Sequence, residues 1–257
     1  LFQLIALRAT PGGYGIPLAM KLAAAETARA ALHSIPASEV IIVGNGNDPD
    51  VHQFPAVYEA LLRETPHRFV DGAASAVRTA SPAIVLLQTG RAPAEHHYLR
   101  WSTKVTSIPL RIGESPLKVL ELPPMTSAVI PGLEFSTPHT LANGVRLAGY
   151  QPVPSKDGLR WNLYWSVGDA VSKNFHFFNH LLDAAGETLG QSDLPAFPAD
   201  QWRPGDRVIS FFFAPLVAQP ATLRVGMYTY PGVENVPVVD GYGNIAGQAV
   251  TADWRSE

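Results

Sequence analysis

Between Leu122 and Gly132 the periodicity of the chain changes, and this change limits the possible folds more than any other feature. Upstream, helical and extended signals alternate. After the turn-rich Thr10-Pro11-Gly12-Gly13, Pro17 suits a first helical turn, and LAMKLAAAETARAALH follows with Leu18, Leu22, Ala25, Arg29 and Leu32 near one stripe. Glu39–Val43 is a β-branched apolar run of the kind buried on both faces of a sheet, and it empties into Gly44-Asn45-Gly46-Asn47-Asp48-Pro49-Asp50. Phe54, Val57, Tyr58, Leu61 and Leu62 then keep helical spacing up to Pro66. Strands are predicted at His67–Val70, Ala83–Gln88, Val105–Ile112 and Leu117–Leu122, with a helix around Pro93–Trp101.

Downstream of the Pro- and Gly-containing stretch the chain shows strand-like runs only: 146–151, 159–167, 174–183, 188–193, 207–214, 221–230 and a tail through 238–250. Gly-Asp, Asp-Gly and Gly-Tyr-Gly-Asn turns separate them, a layout that predicts a β-sandwich. The expected organisation is a small α/β domain over residues 1–124 followed by an all-β, jelly-roll-like sandwich over 131–257.

Composition removes several functional classes. A net charge of -3 with 16% charged residues offers no basic stripe for nucleic acid and no polybasic anchor for lipid, so nucleic acid is not expected as a partner. There is no cysteine, which excludes disulfides, thiol nucleophiles and thiolate metal sites and fits an exported bacterial chain. The start LFQLIALRATPGGYG carries neither an initiator Met nor a signal-peptide pattern and reads as a piece of a longer or processed product. No apolar run approaches the roughly 20 residues a membrane span requires, so this piece is expected to be soluble.

The order of motifs in the second half is distinctive. It runs Leu147-Ala148-Gly149-Tyr150, Leu163-Tyr164-Trp165, Phe178-Asn179-His180-Leu181-Leu182-Asp183 with Gly186, then Gln191-Ser192-Asp193 and Pro195. Trp202-Arg203-Pro204-Gly205-Asp206 and Arg224-Val225-Gly226-Met227-Tyr228 complete it. This series, over about residues 145–230, resembles the soluble C-terminal ectodomain of bacterial polytopic glycosyltransferases related to protein O-mannosyltransferases and the lipid-A aminoarabinose transferase. The strings GYGIPL, VIIVGNGNDPD and HRFVDG fit the α/β part that would precede the sandwich. The resemblance implies an extracytoplasmic location, tethering to a transmembrane part of the same parent chain, and a polyprenyl-phosphate sugar as the parent's donor. That family's catalytic acidic residue lies in an early loop between membrane helices, a region outside this sequence, so no catalytic residue carries over. His180, Asp183, Gly186, Gln191, Asp193, Trp202 and Gly205 are then framework residues of the sandwich.

Candidate sites are few. Asn45, Asn47, Asp48 and Asp50, with His52, follow a buried strand and precede a helix, where open α/β sheets bind ligands, and carboxylates there could hold a hard cation. The string is neither a dinucleotide fingerprint nor a P-loop, and Asn and Asp are also ordinary turn and cap residues. Trp161 and Trp165 could offer a sugar-stacking platform, or one side of that strand could be core. His176 and His180 would align on a helix; the flanking Phe175, Phe177 and Phe178 and the turn Ala184-Ala185-Gly186-Glu187 favour a hairpin. On a strand they lie about 13 Å apart, too far to share one metal. The same reading puts His176, Phe178, His180 and Leu182 on one face and Phe175, Phe177, Asn179 and Leu181 on the other, both apolar enough for the strand to lie between two layers. His96 and His97 read as a solvated helical face. No G-x-S-x-G or H-E-x-x-H string occurs.

The expected function is that of a non-catalytic extracytoplasmic domain of a membrane glycosyltransferase that aids acceptor or partner recognition. The alternative is a freestanding exported carbohydrate-binding protein. The candidate ligand-binding set is Asn45, Asn47, Asp48, Asp50, Trp161 and Trp165, with no catalytic residue, metal ligand or cofactor assigned.

Overall fold

A computed structural model describes residues 17–90, 93–125, 133–171, 173–193, 198, 201–215 and 218–254. The turn at Thr10–Gly13, the start of GYGIPL, Pro131-Gly132 and Pro195 lie outside the described residues. The structure is β-rich, with three helices among the described residues, and divides into two compact units, Leu1–Thr126 and Ser127–Glu257. None of the described helices is long and apolar enough to cross a membrane.

The first unit is built in the order α1 (Leu18–Ser34), β1 (Val40–Gly44), α2 (Gln53–Leu61), β2 (His67–Asp71), β3 (Ser75–Arg78), β4 (Ala83–Gln88), α3 (Ala94–Trp101), β5 (Lys104–Ile108) and β6 (Leu117–Leu122). Five of its strands form a sheet in the order β2-β1-β4-β6-β5. β1 runs parallel to both neighbours, Val40 beside His67 and Ile84, while β6 returns antiparallel to β4 and β5. All five residues of β1 are buried, as the unbroken apolar run requires for a strand covered on both faces.

Packing corrects one expectation. Leu18 and Leu22 of α1 are exposed, and the buried face is Lys21, Ala24, Ala25 and Ala28. That face is rotated by about one residue, 100°, from the leucine stripe. Alanine lets the helix approach β4 and β6 closely, where Val40, Ile42, Ile84, Leu86 and Val119 complete a core with Phe54 and Tyr58 of α2. Lys21 keeps its stem on this face, and burial lowers its pKa.

The second unit contains β7 (Phe135–Leu141), β8 (Val145–Val153), β9 (Leu159–Val167), β10 (Phe175–Leu182), β11 (Thr188–Gln191), β12 (Arg207–Ala214), β13 (Thr222–Thr229), β14 (Val238–Val239), β15 (Ile245–Gly247) and β16 (Val250–Asp253). They form two sheets, one ordered β15-β14-β7-β8-β9-β12 and one ordered β11-β10-β13-β16. Aromatic side chains join the two: Trp165 of β9 stacks on Phe177 of β10 at 5.1 Å, and Phe212 of β12 meets Phe177 edge-on at 6.1 Å. Tyr150 of β8 stacks on Trp254 at 5.7 Å and donates its hydroxyl to the Asp253 carbonyl. This is a sandwich-like arrangement with an aromatic core.

Two strands were not foreseen, β3 and β7, and β16 runs to Asp253, past the tail expected to end at Val250. β7 reads FSTPHTL, without apolar alternation and with Pro138, and its pairing with β8 shifts register between Ser136 and His139, where the missing proline N–H does least harm.

Candidate functional site

The polar loop after β1 is a turn built from its own atoms. The Asp48 carboxylate accepts the Asp50 amide at 2.8 Å, and the Asp48 carbonyl accepts the amides of Val51 at 3.2 Å and His52 at 2.8 Å. Gly46 sits at φ 76°, with the His52 ring so close that a β-carbon there would lie 2.2 Å from it. Asn45 uses its backbone amide on Gln88 Oε1 at 3.4 Å. Across the strand ends, Asp71 accepts the Ala73 amide at 3.0 Å, so its carboxylate also serves a local turn. Asn45, Asp48 and Asp50 are exposed and Asn47 half-buried. No group of three His, Asp or Glu side chains suited to a metal occurs among the described residues.

Trp161 and Trp165 cannot be a stacking platform for a soluble sugar, because they are 0% and 1% exposed. The pleat puts Trp161, Leu163, Trp165 and Val167 on the inner face of β9, all buried. His96 and His97 diverge as adjacent helical residues must, but only His96 is solvated. His97 is half-buried 5.5 Å from the Trp101 ring, and burial, with smaller contributions from His96 and Arg100, pulls its pKa down to about 4.

His176 and His180 lie on β10, opposite Tyr228 and Arg224 of antiparallel β13. Phe175, Phe177, Asn179 and Leu181 face the core, as alternation predicts, but no second layer of strands or helices buries the other face among the described residues. There His176, His180 and Leu182 are half-buried, while Phe178 is buried because its ring lies over Gly226, where a β-carbon would stand 2.3 Å from it. The absence of a side chain at Gly226 therefore lets the aromatic lie flat across the strand pair.

Next to Phe178 is an aromatic ledge. Tyr228 stacks near Phe178 at 6.5 Å and brings its hydroxyl 3.5 Å from His176 Nδ1. Tyr230, 59% exposed, stacks on His176 at 4.3 Å with the rings 11° apart. His180 Nε2 lies 3.6 Å from Asp193, whose carboxylate also accepts the Asn179 amide at 3.2 Å. Burial, then Asp193 and Tyr230, raise the Tyr228 pKa, and burial lowers that of His176. The phenol and the imidazole are thus both held neutral near pH 7. The ledge can donate and accept hydrogen bonds without changing charge.

The loop after β13 serves this ledge and a neighbouring cleft. Val233 donates to the Thr229 carbonyl at 2.8 Å and Val236 to Met227 at 2.8 Å, pinning the loop back onto its strand. An open cleft of about 480 Å³ lies beside it, with Phe175, Val171 and Val236 as apolar lining and Asn143, Asp169 and Lys173 among its polar groups. Sequence reasoning reached His176 and His180 but not Tyr228 and Tyr230, since cross-strand register brings them together. Comparison with known protein families, curated proteins and solved structures returns no match to this chain.

Proposed function

We propose that this chain is a non-catalytic extracytoplasmic region of a bacterial membrane glycosyltransferase, working beside the transmembrane part of the same parent chain. The observation that carries the reading is that the residues of the ordered motif series have architectural work to do. Asp183 accepts the amides of Ala185 at 2.8 Å and Glu187 at 2.9 Å, and Gly186 takes φ 87° to close that hairpin. Trp202 packs 5.6 Å from Phe177; Gly205 takes φ 85° and donates to the Val167 carbonyl at 2.8 Å. Residues used in this way account for the resemblance through framework alone, which supports a recognition or stabilising part over a reaction centre. In the same reading the first unit is assigned to the α/β class, on its parallel β1, β2 and β4 and its helices, and the second to jelly-roll-like sandwiches.

The test is topological. The complete gene product, tagged within this region, is expected in the membrane fraction, released only by detergent, with the tag cut by protease added to spheroplasts. A tag recovered in the cytosol would overturn the reading. The second reading, a freestanding exported carbohydrate-binding protein, is favoured by the exposed ring of Tyr230; a secreted product free of membrane would select it.

A further inference from the structure

We propose that the outer face of β10 and β13, centred on Tyr230, is a saccharide-binding surface that takes a neutral hexopyranose unit by stacking its C–H face on the Tyr230 ring. This deepens the proposed function by naming the recognising surface, and binding is measured on this chain alone, so either idea can fail without the other.

The ring is pre-oriented. One face of Tyr230 is covered by His176, parallel within 11° at 4.3 Å, and the side chain as a whole remains 59% exposed. A ligand that stacks on the open side does not have to freeze a mobile side chain, which removes one of the ordering costs of binding. The groups around the ring are those that sugar hydroxyls need. Tyr228 and His176 are each neutral donors and acceptors, Asp193 is an acceptor beside His180, and Arg224 is an exposed donor across from His180. Asp193, with exposed Asp253 on the same side of neighbouring β16, stands against Arg224, so the face has no excess of positive charge. An anionic polymer or a phosphate therefore has little to recognise, and a ligand of uncharged hydroxyls has several partners.

Size decides between a sugar and a protein partner. A tyrosine presents on the order of 150–250 Å² in all, so the exposed part of this ring is on the order of 100 Å². A stable protein interface needs about 800 Å² per partner. The exposed ring matches the face of one pyranose, and a second copy of the chain would need several hundred Å² of further contact beyond it.

The probes are methyl α-mannopyranoside, methyl β-glucopyranoside, methyl β-galactopyranoside and their β-linked or α-linked tetrasaccharides, titrated by saturation-transfer and chemical-shift NMR. We expect at least one series to bind, tetrasaccharide above monosaccharide, with transfer to the Tyr230 ring protons. Tyr230→Ala should weaken binding at least 10-fold, Tyr230→Phe less than about 3-fold, and the distant exposed Tyr242→Ala not at all, with melting unchanged in all three. Absence of binding by every probe overturns the proposal, as does binding that Tyr230→Ala leaves intact. Self-association abolished by Tyr230→Ala would also overturn it, assigning the face to a second copy. Should Tyr230→Ala alter melting, the saturation-transfer map on the unmodified chain decides alone: contacts away from Tyr230 and Tyr228 overturn the assignment.

Discussion

Glu39 and Arg68 form an ion pair at 2.8 Å with side chains each 2% exposed, Glu39 just before β1 and Arg68 within β2. At an effective dielectric constant of about 20 the Coulomb attraction at this distance is about 6 kcal/mol. Removing both charges from water costs several kcal/mol per ion, so the pair as a whole comes out near balance. Removing one partner does not. Glu39→Ala takes this carboxylate away from a buried guanidinium, and the expected loss is about 3–5 kcal/mol. With a urea m-value of about 2 kcal/mol/M, the unfolding midpoint should fall by about 1.5–2.5 M. Circular dichroism through a urea titration measures this, with an unchanged slope confirming that stability and not compactness has moved. Glu39→Met combined with Arg68→Met should cost far less than the sum of the single changes, because the desolvation burden leaves with the charges. A Glu39→Ala loss below about 1 kcal/mol would refute the reasoning, as would a double variant as costly as its two parts together.

Trp165→Ala removes a ring packed on Phe177 and Trp202 and should destabilise the second unit by about 3–5 kcal/mol, read by calorimetry; a loss below about 1 kcal/mol would mean the core had collapsed into the space. His97 resists protonation in the folded state, since its pKa of about 4 lies below the ordinary value of 6.5. The unfolded chain therefore takes up that proton first: stability is whole above pH 6.5 and falls as the pH drops toward 4, by about 1–3 kcal/mol after allowance for the half-exposed ring. His97→Gln should flatten that slope in melts across pH 4–7, and an unchanged slope would assign it elsewhere. Gly226→Ala forces Phe178 off the strand and should cost about 1–3 kcal/mol while shifting the Tyr228 ring resonances; resonances that stay in place would show that the ring had room to yield.

Much of the fold was legible wherever burial alone fixes residue type. Ala83–Gln88, Leu117–Leu122, Leu159–Val167 and Arg207–Ala214 have the bounds expected from sequence, because each is an apolar or alternating run ended by turn residues. The hairpin of β10 and β11 followed from its turn residues. Where the chain uses alanine instead of leucine to pack, as along Ala24, Ala25 and Ala28, a search for large apolar residues points to the wrong face. The candidate site was only half legible. Period-two alternation puts Trp161 and Trp165 on the same side as Leu163 and Val167, which should have marked them as core. Tyr228 and Tyr230 gain meaning only beside His176, and the pairing of β10 with β13 is a long-range fact that no local pattern carries.

The closure of the second unit has a consequence for biosynthesis. Its early strand β7 pairs with β14, Leu141 beside Val238, and the Tyr150 hydroxyl reaches Asp253, 103 residues further on. Contacts of such sequence separation form late, because the loop entropy must be met before any of them contributes. A nascent chain stalled before Val238 therefore lacks the second neighbour of β7, which then has β8 alone, and the strand that flanks β13 on its outer side, and must present unpaired edges to whatever chaperone or translocation machinery holds it. Deleting Val250–Asp253 alone removes both the outer neighbour of β13 and the acceptor of the Tyr150 hydroxyl, and even so small a deletion should raise proteolysis of the whole unit and not of its edge alone.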